Sequence, residues 1–126
     1  MPATTVVFFR EAEGAVPVLD WLASLRRTQP RAFAKCLVRI ERLAQLGHEL
    51  RRPEADLLRD GIYELRARMG SVNYRILYFF HGRSACVLAH SLTRESAVPA
   101  AEIDVAVRRK AVYTRNPGAH THREGV

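Results

Sequence analysis

The sequence predicts an α+β domain in which one strand and two helices precede a meander of strands and a closing helix. Three observations carry this prediction. β-Branched and aromatic residues cluster at Thr4–Phe9 and again in three runs between Ile62 and Leu92. Apolar residues recur at helical spacing between Val18 and Ala44. The dipeptides Asp60-Gly61, Gly70-Ser71 and Gly82-Arg83 supply the turns of the later strands. The expected packing sets the helices on one side of a small, mostly antiparallel sheet.

Thr4–Phe9 reads as the first strand. Pro17 suits a helix first turn, and Val18, Leu22 and Leu25 then share a face. A second helix starts near Pro30, carries the stripe Phe33, Leu37, Ile40 and Leu43, and stops at Gly47. The short link between the two predicts an antiparallel hairpin. From His48 to Gly61 the expectation is a loop, with a short extended piece at Leu57-Leu58. Three strands follow, Ile62–Met69, Val72–Phe80 and Ser84–Leu92, then a helix from Pro99 to Tyr113. Residues 1–113 therefore form the expected domain. The aperiodic stretch from Thr114 to Val126 is expected to be a flexible basic tail.

The chain has 126 residues and a net charge of +7, and its only lysines are Lys35 and Lys110. An arginine-rich basic chain points to nucleic acid or another polyanion. The competing explanation is a genome composition that favours arginine codons. Cys36 and Cys86 stand apart without a CxxC pair, so no zinc site is expected. Isolated thiols and no recognisable signal peptide predict a cytoplasmic protein. No apolar run reaches membrane-spanning length.

The arginines of the central hairpin pose the functional question. Alternation along Ile62–Met69 puts Glu64, Arg66 and Arg68 on one face, and Tyr63, Leu65, Ala67 and Met69 on the other. Arg75 shares its face with Leu77 and Phe79, where a cation requires a partner. His90, Thr93 and Arg94 fall near the end of the last strand. Two explanations stand. Glu64 pairs with Arg66 or Arg75 and the rest solubilise the sheet, or the cations converge to clamp a phosphate. Strand register decides between them, and sequence leaves the register open.

The segments Leu58–Arg66, Tyr74–Tyr78, Leu88–Glu95 and Pro99–Ala106 resemble, in order and spacing, motifs of the RelE/HigB superfamily of type II toxin–antitoxin toxins. The closer similarity is to the phage-derived, HigB-like branch, and it covers Thr4 to Tyr113. It implies a RelE-like microbial RNase fold: an N-terminal strand and helical hairpin on a small twisted antiparallel sheet, with a C-terminal helix. It also implies a metal-independent, cofactor-free endoribonuclease that cuts mRNA in the ribosome and inhibits translation. The implied partners are a cognate antitoxin with a helix-turn-helix domain, the ribosome and mRNA. Operator DNA is reached only through the antitoxin, and no membrane is involved.

Carried over by motif, Arg75, His90 and Arg94 are the candidate catalytic residues. Arg66, Arg68 and Thr93 are the candidate RNA and phosphate contacts, and no metal ligand is implied. The sequence departs from the family pattern at Ser91 and Leu92, and at Glu95, which replaces a lysine. The usual tyrosine after the last strand is missing until Tyr113. ParE-like toxins, which poison DNA gyrase by binding it, share the implied fold and form the alternative. A non-catalytic RNA- or partner-binding relative is a further one.

Overall fold

A computed structural model describes residues 4–94 and 96–123. Its elements are β1 (Thr5–Phe9), α1 (Pro17–Thr28), α2 (Pro30–Leu46), β2 (Ala55–Arg59), β3 (Ile62–Met69), β4 (Val72–His81), β5 (Ala85–Arg94), α3 (Ala100–Arg115) and β6 (Thr121–His122). Pro17 and Pro30 each open a helix, and Gln29 both ends α1 and precedes α2, so the hairpin turns sharply. The strands form one sheet in the order β2-β3-β4-β5-β1-β6. β1 runs parallel to β5, and the remaining neighbours are antiparallel. This α+β architecture, with its C-terminal helix, is consistent with a RelE-like fold.

The sheet is covered on both faces, which corrects the one-sided expectation. Val18, Leu22 and Leu25 of α1 and Ala32, Cys36 and Leu43 of α2 pack against Leu65, Ala67, Ile76, Tyr78 and Leu88. Ala106 and Tyr113 of α3 pack on the opposite face against Phe9, Leu77, Phe79 and Val87. The reason lies in β4. Its run from Tyr74 to Phe79 is buried at every residue, and a strand apolar on both sides needs two covering layers. Both cysteines are buried in this core. Burial pushes the Cys36 thiol up to about 12 and that of Cys86 well above its ordinary value, so they pack as protonated thiols.

Two further expectations are corrected. The segment Ala55–Arg59 is a full edge strand paired with β3, where only a short extended piece was expected. Asp60 and Gly61 join the two strands with φ of 53° and 76°, the left-handed conformations that a two-residue hairpin loop requires. At the other end the helix continues to Arg115, and Thr121–His122 pairs with β1. His120 stacks on Phe9 with ring centroids 5.4 Å apart and donates from Nδ1 to the Arg10 carbonyl at 2.7 Å. The stretch expected as a flexible tail thus supplies the outermost strand. Among the described residues no helix is long and apolar enough to cross a membrane.

Candidate nucleic-acid interface

The register of the meander creates the site. Arg68 pairs with Asn73, and Asn73 pairs with Arg94, so one rung crosses three strands. The next rung is Arg66, Arg75 and Leu92, and the third is Glu64, Leu77 and His90. Directly opposed residues share a face. All three rungs therefore look toward the α3 side of the sheet.

A β-bulge on β5 makes this possible. Leu77 pairs with His90 while Tyr78 pairs with Leu88, which leaves Ala89 as the extra residue. Without it, strict alternation would place His90 with Leu88 in the core beneath the helical hairpin. The extra residue shifts His90, Leu92 and Arg94 onto the arginine face, a re-aiming that bulges commonly perform. Nothing in the sequence announces it, since Ala89 is compatible with an ordinary strand.

The arginines do not share one environment. Arg68 and Arg94 are exposed, Arg66 is half-buried, and Arg75 is buried. Arg75 makes a hydrogen-bonded ion pair with Glu64 and donates from Nη2 to the Ser96 carbonyl at 2.8 Å. Glu64 also lies 3.6 Å from Arg66 Nε. Burial lowers the Arg75 pKa, yet a guanidinium remains charged at any physiological pH. Arg68 Nε donates to the Gly70 carbonyl at 2.8 Å, which fixes its base beside the turn. Among the described residues, Arg66 Nε and Arg75 Nε are buried donors without a hydrogen-bond partner.

Of the sequence candidates, Arg66, Arg68, Arg75, His90 and Arg94 share this face. Thr93 does not: it pairs with Tyr74 and belongs to the face of the helical hairpin. The departure at Glu95 lies outside the described residues. Among the described residues, no group of three or more His, Cys, Asp or Glu side chains is arranged to hold a metal ion.

The Phage derived protein Gp49-like family (DUF891) matches residues 20–111, a span from α1 through most of α3 that contains all three rungs. The chain belongs to this family. The Gp49-like family lies within the RelE/HigB-like toxin superfamily. Membership is consistent with the toxin of a toxin–antitoxin module and implies a cognate antitoxin as partner. No curated protein matches the chain.

In this Gp49-like protein His90 is held from both sides by α3. Its Nε2 lies 3.0 Å from Glu102 Oε1, and its Nδ1 lies 3.3 Å from Arg109 Nη1. A guanidinium only donates, so Nδ1 accepts and Nε2 carries the proton given to Glu102. The same Arg109 Nη1 donates to the Ala89 carbonyl at 2.8 Å, directly at the bulge. Its Nη2 reaches Glu11 at 3.5 Å, and the guanidinium lies over Phe9. Sequence reasoning missed Glu102, Arg109 and Glu11. The available signal was the seven-residue spacing of Glu102 and Arg109, which sets both on one helical face.

Proposed function

We propose that this Gp49-like protein is the toxin of a type II toxin–antitoxin module and a HigB-like, ribosome-dependent mRNA endoribonuclease acting in the cytoplasm. The carrying observation is the rung Arg68–Asn73–Arg94, whose two guanidinium groups are exposed beyond the end of the apolar cluster under α3. Such a pair of planar forks suits a phosphodiester.

In the proposed reaction the ribose 2′-oxygen loses its proton and bonds to the adjacent phosphorus. The bond from phosphorus to the 5′-oxygen breaks, and that oxygen takes up a proton. The products are a 2′,3′-cyclic phosphate and a 5′-hydroxyl. Arg68 and Arg94 bind the phosphate and offset the charge that builds on its oxygens, an electrostatic contribution that needs no metal. Arg66 flanks them. Arg75, tied to Glu64 and Ser96, acts as a positioning residue that sets the rung beside it. His90 spends both ring nitrogens on α3 and likewise positions β5. The antitoxin blocks ribosome entry and brings the pair to operator DNA.

The test is mRNA cleavage in a purified translation system, mapped by primer extension with and without ribosomes. Cuts at A-site codons that require ribosomes, and fall at least about tenfold for Arg94→Ala as expected for one lost charge-assisted contact, support the proposal. Intact mRNA with wild-type protein sinks it. The engaged ring of His90 favours one second reading, a ParE-like gyrase poison without nuclease chemistry. Gyrase-dependent DNA breaks alongside intact mRNA would establish that reading.

A further inference from the structure

We infer that the cleft beside edge strand β2 is a second nucleic-acid site, one that seats a single nucleotide of an unpaired strand. The cleft holds about 570 Å³, within the range of small-ligand sites. Ala55, Leu57 and Tyr63 border it and belong to the helical-hairpin face, opposite Glu64 and Arg66. Tyr63 and Arg68 are five residues apart on β3, roughly 17 Å along the strand. The cleft and the Arg68–Asn73–Arg94 rung are therefore separate in face and in position.

Its lining divides by chemistry. One part is flat and apolar. Tyr63 is half-buried and stacks on Tyr78 at 5.4 Å between centroids, with the Phe80 edge 5.3 Å away. His48 stacks on the same Phe80 ring at 3.6 Å. Rings held in this way are rigid and lose little entropy when a further ring stacks on them. Leu50 and Ala55 are buried beneath. Leu57, 54% exposed, is one of two large apolar side chains left open to solvent among the described residues, and it borders the cleft. A nucleobase supplies the planar, weakly polar surface that such walls accept.

The other part is charged. Arg51 is anchored through Nη1 to the carbonyls of His48 and Leu50, which leaves its other donors for a ligand. Arg52, with 78% of its side chain exposed, pairs with Asp56 at 2.8 Å. The Arg52 hydrogen bond holds the Asp56 carboxyl below its usual pKa, so it stays anionic. Two cations and one carboxylate sum to a single positive charge. That balance suits one phosphodiester and disfavours a triphosphate. Asp56 lies opposite Glu64, on the other face of the sheet, so its part here is to neutralise Arg52 at the rim of the cleft. Aromatic wall and lone net charge together describe one nucleotide within a strand.

This inference does not depend on cleavage, and its test reads binding alone. Fluorescein-labelled pentauridylate is titrated by anisotropy into full-length protein carrying Arg68→Ala and Arg94→Ala, which removes the exposed cations of the other site. Saturable binding is expected to remain. Adding Leu57→Ser should weaken it about tenfold, as expected when a large apolar side chain is removed from the contact. Adding Arg52→Ala should lower the slope of log affinity against log salt by about 0.7. An abasic oligomer of equal length should bind about tenfold more weakly than pentauridylate. Both added substitutions replace exposed side chains, and a thermal melt checks that the variants stay folded. The inference is overturned if the Arg68→Ala, Arg94→Ala protein no longer binds. It is equally overturned if Leu57→Ser changes nothing, or if the abasic oligomer binds as tightly.

Discussion

Glu64 on β3 and Arg75 on β4 form a buried ion pair, 4% and 6% exposed respectively. They are diagonal neighbours, because Glu64 lies opposite Leu77 and Arg75 lies opposite Arg66. Two arginines directly opposed on adjacent strands repel each other. Glu64 reaches both and so turns a repulsive pair into a three-membered cluster. The carboxylate is what allows two guanidinium groups to stand side by side on this face.

Removing Glu64 therefore leaves an uncompensated buried cation beside a second one. Glu64→Ala is expected to destabilise the fold by about 3–5 kcal/mol, measured by urea unfolding. Replacing both partners with apolar residues of similar size, Glu64→Leu with Arg75→Met, is expected to recover most of that loss. A double variant no more stable than Glu64→Ala alone would show that the pair is not the origin of the effect.

His90 separates a structural role from a chemical one. With both ring nitrogens engaged by α3, His90→Ala should cost about 1–3 kcal/mol of stability. Its cleavage rate, measured at a temperature where the variant is folded, should fall less than about tenfold. A general base would show a loss of about a hundredfold or more and a changed pH profile. Such a result would move His90 into the reacting set.

Acid stability should depend on Glu54. It accepts both hydrogen bonds of Arg42 at 3.0 Å and one from Arg39 at 3.2 Å. The Arg42 hydrogen bonds are the main cause that holds its carboxyl below the ordinary value, with Coulomb attraction to Arg42 and Arg39 assisting and burial opposing. The folded pKa thus lies below the unfolded one, which is about 4.3. The stabilisation is complete above the unfolded value and is lost as the pH falls through the folded one. The stability difference between wild type and Glu54→Gln, followed by urea melts, should be constant above about pH 6 and shrink below about pH 4. A difference that grows with acid would contradict the assignment.

Ending the chain at Asn116 removes the strand that pairs with β1 and the His120 ring stacked on Phe9. The β1 edge is then open, and open edges recruit other chains. The truncated protein should melt several degrees lower, as expected for a loss of about 1–2 kcal/mol, and should form higher-order species in light scattering. His120→Ala in the full chain should show the lower melt without the association.

The order of elements was legible in the sequence because periodicity, Pro17, Pro30, Gly47 and the turn dipeptides are local signals. So were the membership of Arg66 and Arg68 in one face of β3 and the need of Arg75 for a partner, since alternation and the cost of burying a cation operate residue by residue. Three things were not. The face of His90 and Arg94 rests on a single extra residue, Ala89, whose effect exists only against a partner strand. The strands β2 and β6 are weak alone and form because β3 and β1 offer them backbone partners. The choice of Glu64 over solvent for Arg75, and of Glu102 and Arg109 for His90, depends on residues distant in sequence and brought together by packing. The sequence by itself determined the α+β class, the positive charge and the chemistry of the candidate residues. Tertiary structure decided which cations stay exposed and which are neutralised, because register and burial are properties of pairs of elements.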